Sequence, residues 1–231
     1  MPLVALSLLL ALQAAPAPDR ASQTAFAEGE RLLAAAGAAD LFTNESTTAD
    51  GAIVLRHKAS GYRCILNPGK AVNAVNIYPN PSRGDDVGCT TETISDIRTL
   101  YFTRTSATTA QEAEVAGLAI QSRYRGARSV NLSGNRGMFE AVGRDIPEHR
   151  TLGFEAPNSY EQVTVGVING WAVKYRFSSP PGTSGRSGVF EDFWITTALE
   201  PEIAARRAAQ AASAQAQSPA PSDPTATHPN N

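Results

Sequence analysis

One stretch constrains this chain more than any other. Val163, Val165 and Val167 alternate with Thr164 and Gly166, then come Ile168 and Asn169-Gly170, and after them Trp171, Val173, Tyr175 and Phe177 alternate with Ala172, Lys174 and Arg176. Alternation with a period of two is the signature of a strand, and Asn-Gly supplies the positive φ angles that a tight hairpin turn requires. The chain must therefore contain antiparallel sheet. Two registers compete. A two-residue turn pairs Ile168 with Trp171 and sets Val165 beside Lys174 and Val163 beside Arg176, which places charge against valine. A three-residue loop over 168–170, with Gly170 as a bulge residue, pairs Val167 with Trp171, Val165 with Val173 and Val163 with Tyr175. Every apolar side chain then faces one way, so the second register is expected.

Other segments supply the rest of a sheet and the helices that cover it. Residues 24–36 read as a first helix with Phe26 and Leu33 on one face and Gly37 as its stop. Strands follow at 53–58 and 62–66, separated by Ser60-Gly61, then at 74–78, 87–94 and 98–104, the last with Leu100 and Phe102 on one face. Thr109-Ala110-Gln111-Glu112 has the form of a capping box, opening a helix that runs to about Tyr124 with Ala113, Ala116, Ile120 and Tyr124 on one face and Leu118 beside it. Further strands are expected at 127–132, 138–142 and 152–155. Phe190, Phe193, Trp194 and Thr197 then recur at helical spacing, with Ser187 as N-cap, and read as the core face of a closing helix. Pro201 suits the first position of a separate terminal stub.

The two ends differ in composition from this middle. Residues 3–12 are an apolar run, followed by Ala14, Ala15, Pro16 and Ala17 and only then by Asp19 and Arg20, which is the shape of a secretory leader over residues 1–17. From 204 onward Ala, Gln, Ser, Pro and Thr dominate, so residues 201–231 are expected to be a helical stub and a disordered Ala/Pro/Ser-rich tail. No other stretch approaches the roughly 20 apolar residues of a membrane span, so no transmembrane anchor is expected once the leader is removed. The fold class that results is α+β, an antiparallel β-sheet flanked by helices, in a single domain over residues 22–200.

Net charge is −2, and the one Arg-rich stretch, with Arg123, Arg125, Arg128, Arg136, Arg144 and Arg150, is diluted by Glu140, Asp145 and Glu148. No nucleic-acid partner is indicated. Cys64 and Cys89 are the only cysteines, and an even count in an exported chain favours a disulfide, which would pin the polar loop 80–88 against the strand of Cys64. Two separate buried thiols are the alternative. A redox or metal pair lacks both the C-x-x-C spacing and a His cluster, so neither a metal nor a cofactor is expected.

The segment Ser60-Gly61-Tyr62-Arg63-Cys64, the capped helix after Arg104 and the Gly170-Trp171 strand leading to Phe193 together resemble the family of photosystem extrinsic proteins of the PsbP type and related small exported bacterial domains. The resemblance covers most of residues 40–199. It implies an antiparallel sheet sandwiched by helices and a non-enzymatic binding or assembly role, with no functional residue carried over.

Catalytic patterns are sparse. The histidines are His57, His149 and His228. His57 falls on the strand face of Ile53 and Leu55 and reads as a structural residue, His149 as solvated surface in the charged loop 145–150, and His228 lies in the tail. Asp85-Asp86 beside Gly84 and Gly88 suits a turn first and a cation or a carboxylate pair second. Two functions follow from these residues. The favoured one is a non-catalytic protein of the cell envelope, periplasmic or secreted, that binds an envelope protein or a small ligand, with Arg83, Asp85, Asp86 and His57 as the candidate binding loop. The other is a periplasmic hydrolase whose site joins His57 to Asp85 or Asp86, since catalysis needs positioned groups in mutual reach.

Overall fold

The computed structural model describes residues 20–46, 51–132, 146–182 and 187–217, and in it two antiparallel sheets and three helices share one domain. The leader, the expected strand at 138–142 and the tail beyond 217 lie outside the described residues. A small sheet has the order β1 (Phe42–Asn44), β2 (Ile53–His57), β3 (Arg63–Leu66). A seven-stranded sheet contains β4 (Ala74–Ile77), β5 (Asp86–Glu92), β6 (Ile97–Arg104), β7 (Arg128–Val130), β8 (Arg150–Ala156), β9 (Ser159–Ile168) and β10 (Trp171–Ser179), in the spatial order β4-β5-β6-β10-β9-β8-β7. The helices are α1 (Arg20–Ala36), α2 (Thr109–Arg123) and α3 (Ser187–Gln217).

Paired residues in an antiparallel ladder share a face of the sheet. On one face Val87 pairs with Phe102 and Phe102 with Val173, and likewise Cys89 with Leu100 and Leu100 with Tyr175. These residues form the main core with Leu32, Leu33, Phe42, Leu55, Tyr62, Trp194 and Ile195, so α1, the small sheet and α3 all cover this face. On the opposite face α2 lays Ala113 and Ile120 on Phe154, Val163 and Val165.

This double cover explains the hairpin, which takes the register that was not expected. Trp171 pairs with Ile168, Lys174 with Val165 and Arg176 with Val163, across a two-residue turn in which Asn169 and Gly170 have φ of 52° and 77°. Positive φ at both central residues is the type I′ geometry that matches strand twist. The cost of setting charge beside valine is avoided because Lys174 reaches Glu112 on α2 at 2.7 Å and Arg176 reaches Glu161 at 3.0 Å. A one-faced apolar pattern was the wrong criterion for a strand buried on both sides.

Smaller departures have equally local causes. The cap of α2 is Thr108, with Gln111 completing the box, one residue earlier than expected. Phe26 is exposed, and α1 uses Ala25, Leu32 and Leu33 instead. Leu118 points to solvent as well, and Gly117 faces Leu152 and Phe154, where an added Cβ would meet Leu152 at 3.2 Å. Pro201 lies inside α3, which continues to Gln217 without a separate stub. Glu200 is fastened to Arg63 of β3 at 2.7 Å, so an ion pair with the small sheet holds the helix next to the point where its ladder loses a donor. Among the described residues no helix is long and apolar enough to cross a membrane.

Cys64 and Cys89 form the disulfide, with Cα atoms 6.2 Å apart. It joins β3 to β5, and therefore one sheet to the other.

Candidate binding groove on the open half of the large sheet

The second face of the large sheet is covered unequally. α2 packs on β8 and β9, so among the described residues the half built from β4, β5 and β6 has no helix above it. The strand parity that sends Leu100 and Phe102 into the core sends Thr99, Tyr101 and Thr103 outward onto this open half. Asp86 pairs with Thr103, Gly88 with Tyr101 and Thr90 with Thr99, so one polar and aromatic row runs across the strands.

Between this row and α2 lies a cavity of about 230 Å³. Tyr78, Asp86, Tyr101 and Thr103 line the sheet side, and Val115 and Ala119 form the helical lip. The rings of Tyr78 and Tyr101 stand 5.8 Å apart and close over Gly88. A Cβ at residue 88 would meet both rings at 3.2 Å and the Leu100 carbonyl at 2.9 Å, so glycine is what lets the two tyrosines sit down on the strand. Val115 is 59 % exposed. A second, open hollow lies toward the other end of β5, bordered by Glu92, Ile94, Ile97, Arg123 and Tyr124. From Asp86 to Glu92 the strand extends about 20 Å at the usual rise per residue.

The charges in the narrow part are nearly all paired. Partial burial would push the Glu112 carboxyl up, but hydrogen bonds from Lys174 and from Thr105 hold it below the ordinary carboxylate range. Glu161 is fully buried, accepting hydrogen bonds from Ser159 at 2.9 Å, Arg176 at 3.0 Å and Ser178 at 2.6 Å. Asp86 differs. Among the described residues its carboxylate accepts one hydrogen bond, from the Thr103 hydroxyl at 2.9 Å, and faces no cation within ion-pair distance. Burial pushes its carboxyl up, with Thr103 and Lys174 offsetting part of the effect and Glu112 adding to it. Burial also pushes the Tyr78 hydroxyl up, helped by Tyr101.

The four residues of the expected binding loop fall in three places. Arg83 is tied to the end of α1, donating to the Asp40 carboxylate and to the Gly37 carbonyl. Asp85 accepts from Arg104 at 3.0 Å, and the Arg104 guanidinium lies 4.4 Å above the Trp171 ring. His57 is fully buried beneath that cluster, between Phe42 and Trp171 at ring distances of 5.1 and 5.3 Å. Its Nδ1 shares a hydrogen bond with the Ser60 hydroxyl at 2.9 Å. Burial pushes the imidazole down to about 4, with Asp85 opposing the shift. His57 is thus neutral and a weak base at neutral pH. Asp86 belongs to the other face of the sheet, so the structure brings Asp85 toward His57 and separates Asp86 from both. His149 is not solvated surface: it packs on Trp194 at 4.9 Å and bonds Glu191.

Tyr78, Tyr101, Thr103 and Lys174 did not stand out in the sequence. Their one signal was parity, since they occupy the alternate positions of strands whose apolar positions had already been assigned to a core. Comparison with protein-family models, with curated proteins and with solved structures found no match.

Proposed function

We propose that this chain is a non-catalytic binding module of the cell envelope that takes a partner along the groove between α2 and the open half of the large sheet. The carrying observation is the uneven cover of that sheet: an aromatic and polar floor formed by Tyr78, Tyr101 and Thr103 lies beside an exposed apolar lip at Val115. Apolar side chains left in water beside well-placed polar groups are the composition of a docking surface. The Cys64–Cys89 bond fits an oxidising compartment, and the leader-like residues 1–17 supply a route to it. The expected likeness to PsbP-type domains agrees with an assembly role.

The test uses the full chain expressed with its own first residues in a Gram-negative bacterium. Intact mass of the periplasmic protein, before and after reduction, reads removal of the leader and the state of the thiols. A photo-crosslinking residue is then placed at Val115, on the groove, and separately at Ala35, on the outer side of α1. The proposal expects one saturable adduct from Val115, none from Ala35, and loss of that adduct when Ala119→Arg fills the lip. Equal labelling from both positions, or an adduct indifferent to Ala119→Arg, would overturn it.

A further inference from the structure

The groove holds a half-buried carboxylate, that of Asp86, which among the described residues has no counter-ion within ion-pair distance. Around it the formal charges cancel in pairs: Lys174 with Glu112 at 2.7 Å and Arg176 with Glu161 at 3.0 Å. Arg123 approaches the Tyr78 side from the end of α2, but it is exposed and water screens it. Asp86 has only the Thr103 hydroxyl. A charge taken partly out of water gains most from a new opposite charge brought to it, because desolvation has already been incurred in the unbound state.

The neighbouring surface has the matching chemistry. Tyr78 and Tyr101 offer ring faces and hydroxyl acceptors beside Asp86, and aromatic faces attract ammonium and guanidinium groups. The apolar stem of a long basic side chain would lie along Val115 and Ala119 while its charged head meets the carboxylate. A chamber of about 230 Å³ takes one such side chain rather than a folded element. From Asp86 the strand runs about 20 Å to Glu92, where a second, open hollow carries the exposed Ile94 and Ile97, which gives the rest of a polypeptide segment a surface to follow.

We infer that the partner taken by this groove is a protein segment that inserts one Lys or Arg side chain between α2 and the Tyr78–Tyr101 pair to reach Asp86. The inference rests on the groove being the binding surface, and it names what that surface recognises.

Side-chain analogues test it directly. n-Butylammonium and ethylguanidinium carry the basic heads, and butyrate has a similar stem with the opposite charge. Each is titrated into the oxidised protein while backbone and Tyr side-chain resonances are followed by NMR. The expected result is saturable shifts for both cations centred on Tyr78, Asp86, Tyr101 and Thr103. Added salt should weaken them, and Asp86→Asn should reduce affinity by at least about tenfold. Asn keeps an oxygen that accepts from Thr103, so this variant retains the fold, and unchanged resonances of the Trp171 and Trp194 indoles verify it. Tyr101→Leu, which removes a ring but no charge, should weaken the cations less than Asp86→Asn does. Cation shifts that survive Asp86→Asn, or shifts from butyrate alone centred on Lys174, would overturn the inference. The crosslink at Val115 separates the two readings: an adduct that persists undiminished in Asp86→Asn leaves the groove as binding surface and removes the basic side chain from it.

Discussion

Cys64 and Cys89 cross-link the small sheet to the large one, with Leu55 paired beside Cys64 and Leu100 beside Cys89. Both sulfurs are buried in the main core. The bond closes a sequence separation of 25 residues, for which the chain-entropy account gives about 3 kcal/mol of stabilisation. Urea unfolding of the Cys64→Ala/Cys89→Ala double variant should show an unfolding free energy lowered by that amount, and a correspondingly lower midpoint, relative to the oxidised protein. Reduced wild type should fall near the double variant. A midpoint equal to that of the oxidised protein would mean that packing alone holds the sheets together.

His57 links stability to pH. Its folded-state value of about 4 lies below the ordinary 6.5, so between these values the unfolded chain binds a proton that the folded chain refuses. Stability is then fully present above about 6.5 and is lost as pH falls toward 4, by an amount on the order of 3 kcal/mol. Asp86, whose carboxyl is pushed up by burial, acts in the opposite sense at the lower end of this window. Thermal unfolding from pH 7 to pH 4 should show the decline, and His57→Gln should flatten it while leaving the contribution of Asp86 in place. A parallel decline in the variant would assign the pH dependence elsewhere.

Gly166 sits under the indole of Trp194. A Cβ added there would lie 2.4 Å from Cζ2 of the ring and 2.8 Å from the Glu148 carbonyl. The ring cannot retreat, because it is fully buried and its Nε1 donates to the Val173 carbonyl at 2.7 Å. Gly166→Ala should therefore destabilise by about 2 kcal/mol through overpacking, despite the higher strand propensity of alanine. Combining it with Trp194→Phe, which shortens the ring system, should recover part of that loss in denaturant titrations.

The hairpin turn offers a test of register. Gly170 has a φ of 77° and Asn169 one of 52°. Gly170→Ala should cost about 1 kcal/mol, whereas Asn169→Gly should be nearly neutral, because glycine adopts the same left-handed conformation freely. NMR cross-strand contacts between Ile168 and Trp171 should survive both changes. Contacts between Val167 and Trp171 instead would return the turn to the three-residue form.

Much of the architecture could be read from local signals. The strands at Ile53–His57, Ala74–Ile77 and Ile97–Arg104 begin and end within a residue or so of their expected limits, because alternating apolar residues bounded by Gly, Pro and Ser determine a strand without reference to distant parts of the chain. The stop of α1 at Gly37, where φ is 59°, is equally local. The candidate site was less legible. Asp86 was singled out for its neighbour Asp85, yet one residue of strand parity sends the two to opposite faces. Tyr78 and Tyr101 lie apart in sequence and meet only because β4, β5 and β6 are adjacent.

The amino-acid sequence by itself determined the α+β class, the antiparallel hairpins and the pair of cysteines available for a bond, since each follows from short-range periodicity, turn chemistry or composition. Tertiary structure decided which faces of the sheet were covered, and with that the rest. Lys174 and Arg176 sit beside valines because Glu112 on α2 and Glu161 on β9 are brought to meet them. Among the described residues, Asp86 lies without a counter-ion beside two tyrosines because α2 covers β8 and β9 and leaves β4 to β6 open. Burial and charge pairing depend on neighbours that are close in space and far apart in sequence, so no local pattern encodes them.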